Sequence, residues 1–254
     1  MRAYFYLLVS ILLLSSCGVK YKSVPYFTDL PVDSLVQEQI RNQTVLKIQK
    51  NDILGLTVNS LNPEASAIFN LGSTSSTPGL SSNSSANGFL VDQNGAIQLP
   101  LIGSVPVVGL TTPQARAAIE KKLSTYLKEP VVGLRIVNFR VSVLGDVARP
   151  GVYPVNNERV SISEALSMAG DLTITGLRDN VLLVREDRGV REYIRLNLQS
   201  KELFNSPYYY LQNNDILYVQ PGPNKYASVD TSYRNLSILF SALSVITLVI
   251  TRVF

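Results

Sequence analysis

The chain has no histidine and no tryptophan, and only one cysteine and two methionines in 254 residues. Without histidine it lacks the commonest general base near neutral pH and the commonest metal ligand. Its single thiol, Cys17, leaves no disulfide within the chain and no site built on paired cysteines. Ser-His-Asp hydrolysis and His/Cys zinc chemistry are therefore excluded. Carboxylate-pair chemistry is the remaining catalytic option, but the acidic residues are scattered and form no pair motif. No Gly-x-x-x-x-Gly-Lys-Ser/Thr loop is present to cradle a nucleotide. Neither enzymatic activity nor a cofactor or metal site is expected. Excess charge of one sign is lacking too. Lys and Arg number 23 against 19 Asp and Glu, a net charge of +4, with no basic stripe interleaved with aromatics. Nucleic acid is not an expected partner.

Two apolar segments are present. Arg2 precedes an apolar run, Phe5 to Leu14, that is too short to span a bilayer, and Leu14-Ser15-Ser16-Cys17 follows it. A lone cysteine behind small residues and a basic start reads as a lipobox. Residues 1–16 are then a lipoprotein signal peptide, Cys17 is the acylated residue, and 17–44 form a lipidated N-terminal segment. Gly18 and Val19 carry no acidic retention signal, which favours the outer membrane. The second apolar run is Leu236 to Val253, inside a candidate transmembrane helix over 234–254. Eighteen helical residues rise about 27 Å, close to a hydrocarbon core of about 30 Å. At about 100° per residue, Ser237, Ser241, Ser244, Thr247 and Thr251 share an arc of roughly 140°. Leu239, Leu243, Ile246 and Ile250 lie opposite, while Phe240 and Leu248 interrupt the polar arc.

Between these ends, Asp33 can cap a short helix running to Arg41. Val45–Ile48 and Leu54–Val58 read as strands about an Asn51-Asp52 turn. The Ser-rich stretch 72–88 cannot bury apolar surface and reads as a mobile surface loop. Phe89–Val91 and Ala96–Leu99 flank an Asn94-Gly95 turn, a hairpin signal. Thr111 or Thr112 caps a helix opened by Pro113 and running to about Lys128, with Ala115, Ile119, Leu123 and Leu127 on one face.

A second unit begins near Phe139. Val141–Gly145 and Val152-Tyr153 are strands joined across Arg149-Pro150-Gly151. Ser161-Ile162-Ser163-Glu164 is a capping box opening a short helix that Gly170 stops. Val181–Val184 and Arg191–Leu196 form a hairpin, and Asp215–Val219 is a last strand. The β-β-α-β-β order suggests one helix across a mixed, ubiquitin-like sheet. Arg178-Asp179-Asn180 reads as a solvated turn. Tyr208, Tyr209 and Tyr210 read as strand aromatics filling a core, ahead of a sugar-stacking role.

The motifs Gly88-Phe89-Leu90-Val91-Asp92, Gly95-Ala96-Ile97-Gln98-Leu99-Pro100, Gly103 and Gly109-Leu110-Thr111 resemble the export domain of outer-membrane polysaccharide export lipoproteins. Val143–Val147, Arg149–Tyr153 and Glu164–Gly170 are similar to that family's soluble-ligand-binding β-grasp (SLBB) module. The stretch Pro207–Asp215 is most like members from Bacteroidetes-type bacteria. The resemblance implies an α+β protein with two small mixed α/β periplasmic domains. These are an export domain over 45–137 and an SLBB β-grasp domain over 138–222, followed by the C-terminal membrane-spanning amphipathic helix. It further implies a homo-oligomeric ring, an octamer in the best-known members. One tail per subunit would line a pore through the outer membrane of a Gram-negative bacterium. Polysaccharide would pass by passive conduction, driven by an inner-membrane polysaccharide co-polymerase. No pocket-defining constellation stands out in the β-grasp unit, whose expected job is packing between subunits. The alternative is a lipid-anchored periplasmic ligand-binding or adaptor protein that forms no pore.

Overall fold

The computed structural model describes residues 24–33, 35–40, 45–70, 88–187 and 189–229, and in the tail 237–242, 244, 245 and 249. The leader, Cys17 and the Ser-rich stretch through residue 87 lie outside the described residues.

Strand β1 (Ile53–Asn59) buries Leu54, Leu56 and Val58 by strict alternation, as a strand with one face on a core must. It is the middle of a three-stranded antiparallel sheet, between β2 (Phe89–Leu90) and β5 (Val131–Ile136). A one-turn helix α1 (Pro63–Ala67) follows β1, capped by the Asn62 side chain. The Asn94-Gly95 turn forms as expected, but its strands do not pair with each other. Asp92 holds the turn by accepting from the N–H groups of Asn94 and Ala96, both at 2.9 Å. Strand β3 (Ala96–Leu99) then pairs with β4 (Gly103–Pro106), while β2 joins β1.

Helix α2 (Thr112–Leu123) opens on a complete Thr111–Gln114 capping box. It lays Ala115, Ile119 and Leu123 against β5, each fully buried, with Ile119 and Leu123 worth about 1.5–3 kcal/mol each of transfer free energy. The helix is shorter than its apolar period suggests. Residues 124–126 form turns, and Glu129 takes a left-handed φ of 53° just before Pro130. The expected Val45–Ile48 strand is a single bridge, Lys47 to Thr111, with Ile48 bonded to the 109–110 backbone.

The second domain is a five-stranded mixed sheet in the order β7-β6-β10-β8-β9. Its strands are β6 (Arg140–Gly145), β7 (Gly151–Pro154), β8 (Gly176–Asp187), β9 (Val190–Leu196) and β10 (Ile216–Pro221). Only the central pair β6/β10 is parallel. This order, crossed by helix α3 (Ile162–Met168), is the β-grasp arrangement. Parallel pairing brings β6 and β10 together at Gly145, whose φ is +93°. A Cβ there would lie 2.0 Å from the Val219 carbonyl oxygen, so no side chain fits. The core gathers Val141, Val143, Val181, Leu183, Leu217 and Val219 beneath Ile162, Ala165 and Leu166 of α3.

The two cores meet at Ile136, which packs against both. Polar links reinforce the junction: Asn213 Nδ2 donates to Asp52 Oδ1 (2.7 Å), and Gln49 Nε2 to Gln212 Oε1 (3.0 Å). A 3-10 helix (Lys201–Asn205) follows β9, and helix α4 (Pro223–Val229) leads toward the tail.

The expected helix from Asp33 to Arg41 does not form; residues 35–40 are non-helical. Leu35 and Ile40 are 86% and 75% exposed, so the segment's apolar side chains have no surface to pack against, and packing is what stabilises short helices. The Glu38 carboxylate pairs instead with Lys201 of the second domain.

Candidate functional site

The N-terminal segment folds back onto the second domain. Phe27 and Thr28 N–H groups donate to the carbonyls of Leu198 (3.2 Å) and Gln199 (2.7 Å). Asp29 accepts from Lys201 N at 2.8 Å and Ser200 Oγ at 2.7 Å, so it caps the 3-10 helix from outside. The Ser200 hydroxyl and the Lys201 N–H and charge hold its carboxyl below the ordinary range, more than desolvation raises it.

Docking this strap builds an unbroken aromatic ladder. Ring centroids are 5.9 Å apart for Tyr26–Phe27, 4.7 Å for Phe27–Phe204, 5.4 Å for Phe204–Tyr209 and 5.0 Å for Tyr209–Tyr210. An arginine closes each end. The Arg178 guanidinium lies 5.2 Å from the Tyr26 ring, and that of Arg159 5.1 Å from the Tyr210 ring, both in cation–π range. The Tyr26 hydroxyl donates to the Asp171 carboxylate. Burial first, and then that carboxylate, push the Tyr26 phenol well above its ordinary range.

Arg178 lies in β8 and is buried, which corrects the solvated-turn reading of Arg178-Asp179-Asn180. Its Nη1 donates to the carbonyls of Thr173 (3.2 Å) and Gly176 (3.0 Å). Buried positions in β8 change phase between Arg178 and Val181, and β10 shifts register opposite, so a break in alternation hid this strand from its sequence period. The strand placement of the tyrosines is corrected likewise, while Tyr208 and Tyr209 do pack against the core. Tyr208, Tyr209 and Tyr210 are half-buried in a turn before β10, with one bridge from Tyr210 to Ser161, and are not strand residues.

Beneath them, Arg185 and Asp215 form a buried ion pair, Nη2 to Oδ2 at 2.6 Å, with side chains 5% and 1% exposed. Arg185 also donates to the Tyr210 carbonyl (3.1 Å) and lies under the Tyr208 ring (5.5 Å). Burial pushes the Asp215 carboxyl up, against the opposing pull of Arg185 and the Gln212 N–H. The pair therefore fixes the loop that presents Tyr208–Tyr210. At the ladder's end lies a groove of about 440 Å³ lined by Asn157, Glu158, Arg159, Glu164, Tyr209 and Tyr210, with the Ser161 cap at its floor.

At the opposite end of the sheet, Asp146 accepts from Lys225 Nζ (2.5 Å) and Thr175 Oγ1 (2.6 Å). Burial raises its carboxyl, but those donors outweigh burial and lower it overall. This contact ties α4, and so the approach to the tail, to the second domain. In the tail, residues 237–242 are helical. Ser237, Ser241 and Ser244 are exposed; the Ser241 hydroxyl donates to the Ile238 carbonyl (2.8 Å) and Ser244 to the Ser241 carbonyl (2.7 Å). Thr247 and Thr251 lie outside the described residues. Among the described residues no helix is long and apolar enough to cross a membrane.

None of Arg159, Arg185 and Tyr26 was marked out by its sequence neighbours. Each acquires its partner from a segment far away in the chain, and only Asp29 and Asp215, acidic residues beside turns, carried any local signal.

Fold and contacts thus define a β-grasp module joined to a smaller mixed α/β domain, with a strap from the N-terminal side gripping the former. A family model described as polysaccharide biosynthesis/export protein matches residues 40–137, and a model of the SLBB domain matches 139–219. The EPS I polysaccharide export outer membrane protein EpsA of Ralstonia nicotianae is 30% identical over 149 residues, covering 56% of this chain and 39% of that protein. The protein of the same name from Ralstonia solanacearum is 27% identical over 165 residues, covering 63% and 43%. The matches span about two fifths of the length of these curated relatives. The chain thus carries a polysaccharide biosynthesis/export domain followed by an SLBB domain, and it is similar to outer-membrane polysaccharide export proteins.

Proposed function

We propose that this protein is a subunit of an outer-membrane translocon for capsular or exopolysaccharide. Cys17 anchors it by lipid, the two domains stand in the periplasm, and the tail over 234–254 is one stave of a ring-shaped homo-oligomeric pore. An octamer is the number the family resemblance implies. Conduction is passive, and an inner-membrane co-polymerase supplies direction.

The ordered pair of domain matches carries this reading, since both relatives are named as polysaccharide export outer membrane proteins. The tail supports it physically. Ile238, Leu239, Phe240, Val245 and Val249 are between 54% and 66% exposed in the isolated chain. Such a helix is stable only where lipid or another subunit covers it. Its serine hydroxyls are bonded to the helix's own carbonyls, so Ser241 and Ser244 can face either water or a neighbour without an orphaned donor. A helix with so slight a polar face lines water only in a closed ring, where each backbone keeps its internal bonds.

Single cysteines introduced from Ser237 to Thr251 test it, read by a membrane-impermeant thiol reagent in intact cells. Labelling at Ser237, Ser241, Ser244, Thr247 and Thr251 with protection at Leu239, Leu243 and Ile250 is expected. A scan with no water-reachable face, or a monomer by native mass of the detergent-extracted protein, would refute the pore. It would leave a lipid-anchored adaptor or receptor.

A further inference from the structure

The groove at the end of the aromatic ladder is lined by no residue of the tail, and its walls are chemically specific. Arg159 is exposed, and its guanidinium touches only the Tyr210 ring among the described residues, so its N–H donors are unspent. Glu164 Oε2 accepts from Ser161 N (2.7 Å) and Ser161 Oγ (2.8 Å), and its other carboxylate oxygen meets no donor among the described residues. Glu158 makes one long contact, accepting from Thr112 Oγ1 at 3.5 Å, and Asn157 is exposed. Planar donors and acceptors therefore surround the edge-packed pair Tyr209 and Tyr210, which are held from below by Phe204 and by the Arg185–Asp215 pair. A volume of about 440 Å³ falls within the range of about 300–1,000 Å³ typical of small-ligand sites.

We propose that this groove binds a neutral hexose segment of a glycan, with Tyr210 as the stacking platform and Arg159, Glu158, Glu164 and Asn157 bonding ring hydroxyls. Sugars suit such a site because they present apolar C–H faces to a ring and hydroxyl edges to planar polar groups. Charge selects the class. Two carboxylates face one guanidinium, so a uronate would bring a third anion to a site already one short of cations. The choice of a glycan rests on the export reading, but the site itself requires neither ring nor pore.

The test titrates detergent-extracted full-length protein with cellohexaose, maltohexaose and hexagalacturonate. Saturation-transfer NMR and tyrosine emission report binding, the latter unobscured because the chain has no tryptophan. Saturable binding of a neutral hexaose is expected, at least tenfold tighter than hexagalacturonate. Arg159→Ala, at an exposed position, weakens it about tenfold. Tyr210→Phe keeps the ring and stays within about twofold of wild type. Glu158→Gln narrows the gap between neutral and acidic chains. The proposal is overturned if neither neutral hexaose saturates, if Arg159→Ala changes nothing, or if hexagalacturonate binds more tightly. Secretion assays separate the two readings. Lost groove binding with continued export leaves the pore standing, and lost export on deleting 233–254 with binding retained leaves the groove standing.

Discussion

Replacing Asp215 by Asn keeps the shape of the side chain and removes its charge. The Arg185 guanidinium, 5% exposed, then loses the anion it meets at 2.6 Å and also through Nε at 3.1 and 3.2 Å. Breaking a buried pair from one side costs about 3–5 kcal/mol, because the remaining charge is uncompensated. Asn can still accept from the Gln212 N–H, now 2.7 Å from Oδ2, so the turn before β10 is retained and the loss isolates the charge. In a domain of this size each kcal/mol moves Tm by about 4–8 °C, which puts the expected fall on the order of 20 °C. Calorimetry of the full chain, reading the transition of the second domain, measures it. The paired replacement Arg185→Met with Asp215→Leu should recover most of the loss, since apolar residues of similar volume often substitute for a buried ion pair. A fall under about 3 °C for Asp215→Asn, with the fold intact by circular dichroism, would refute the claim that this pair holds the tyrosine loop.

Gly145→Ala should destabilise by about 2–4 kcal/mol in urea unfolding. Its Cβ would collide with the Val219 backbone at a left-handed φ, where nothing flexible can yield. Ser161→Ala, which removes half of the α3 capping box, should cost about 1 kcal/mol in the same assay. Two buried carboxylates should act oppositely with pH. Asp146 has a lowered folded value, so its contribution is present above the ordinary 3.8 and is lost as pH falls through the folded value; Asp146→Asn should flatten that acid limb of a stability–pH curve. Asp52 is raised, chiefly by burial, so its contribution is greatest in acid and falls as pH rises through its folded value, and Asp52→Asn should improve stability near neutrality relative to acid. Phe27→Ala breaks the ladder at its 4.7 Å contact and should expose the strap to proteolysis after Tyr26 well before global unfolding, as read by mass spectrometry of the fragments.

The segments that read correctly from the sequence were those whose signals are local. The Ser161–Glu164 box caps α3 because a hydroxyl and a carboxylate three residues apart reach each other's backbone whatever surrounds them. The period of Ala115, Ile119 and Leu123 gave the buried face of α2. The order of the β-grasp elements followed from alternation in Val141–Gly145 and Val181–Val184, and the family followed from ordered motifs. The readings that failed depended on partners distant in the chain. Asp33 looked like a cap, yet the apolar residues of 35–40 had no surface to pack against, and Glu38 was claimed by Lys201. Arg178 looked solvated because the bulged phase of β8 concealed its inward direction.

The sequence by itself determined the excluded chemistry, the positions of most helices and strands, and the apolar run at the tail, because composition, capping and hydrophobic period are properties of neighbouring residues. Only the tertiary structure decided that the N-terminal strap grips the second domain, that five aromatic side chains from three segments line up as one ladder between two arginines, and that Arg185 meets Asp215. Arg185–Asp215 and Phe27–Phe204 join residues 30 and 177 positions apart, and their geometry exists only after both cores have closed.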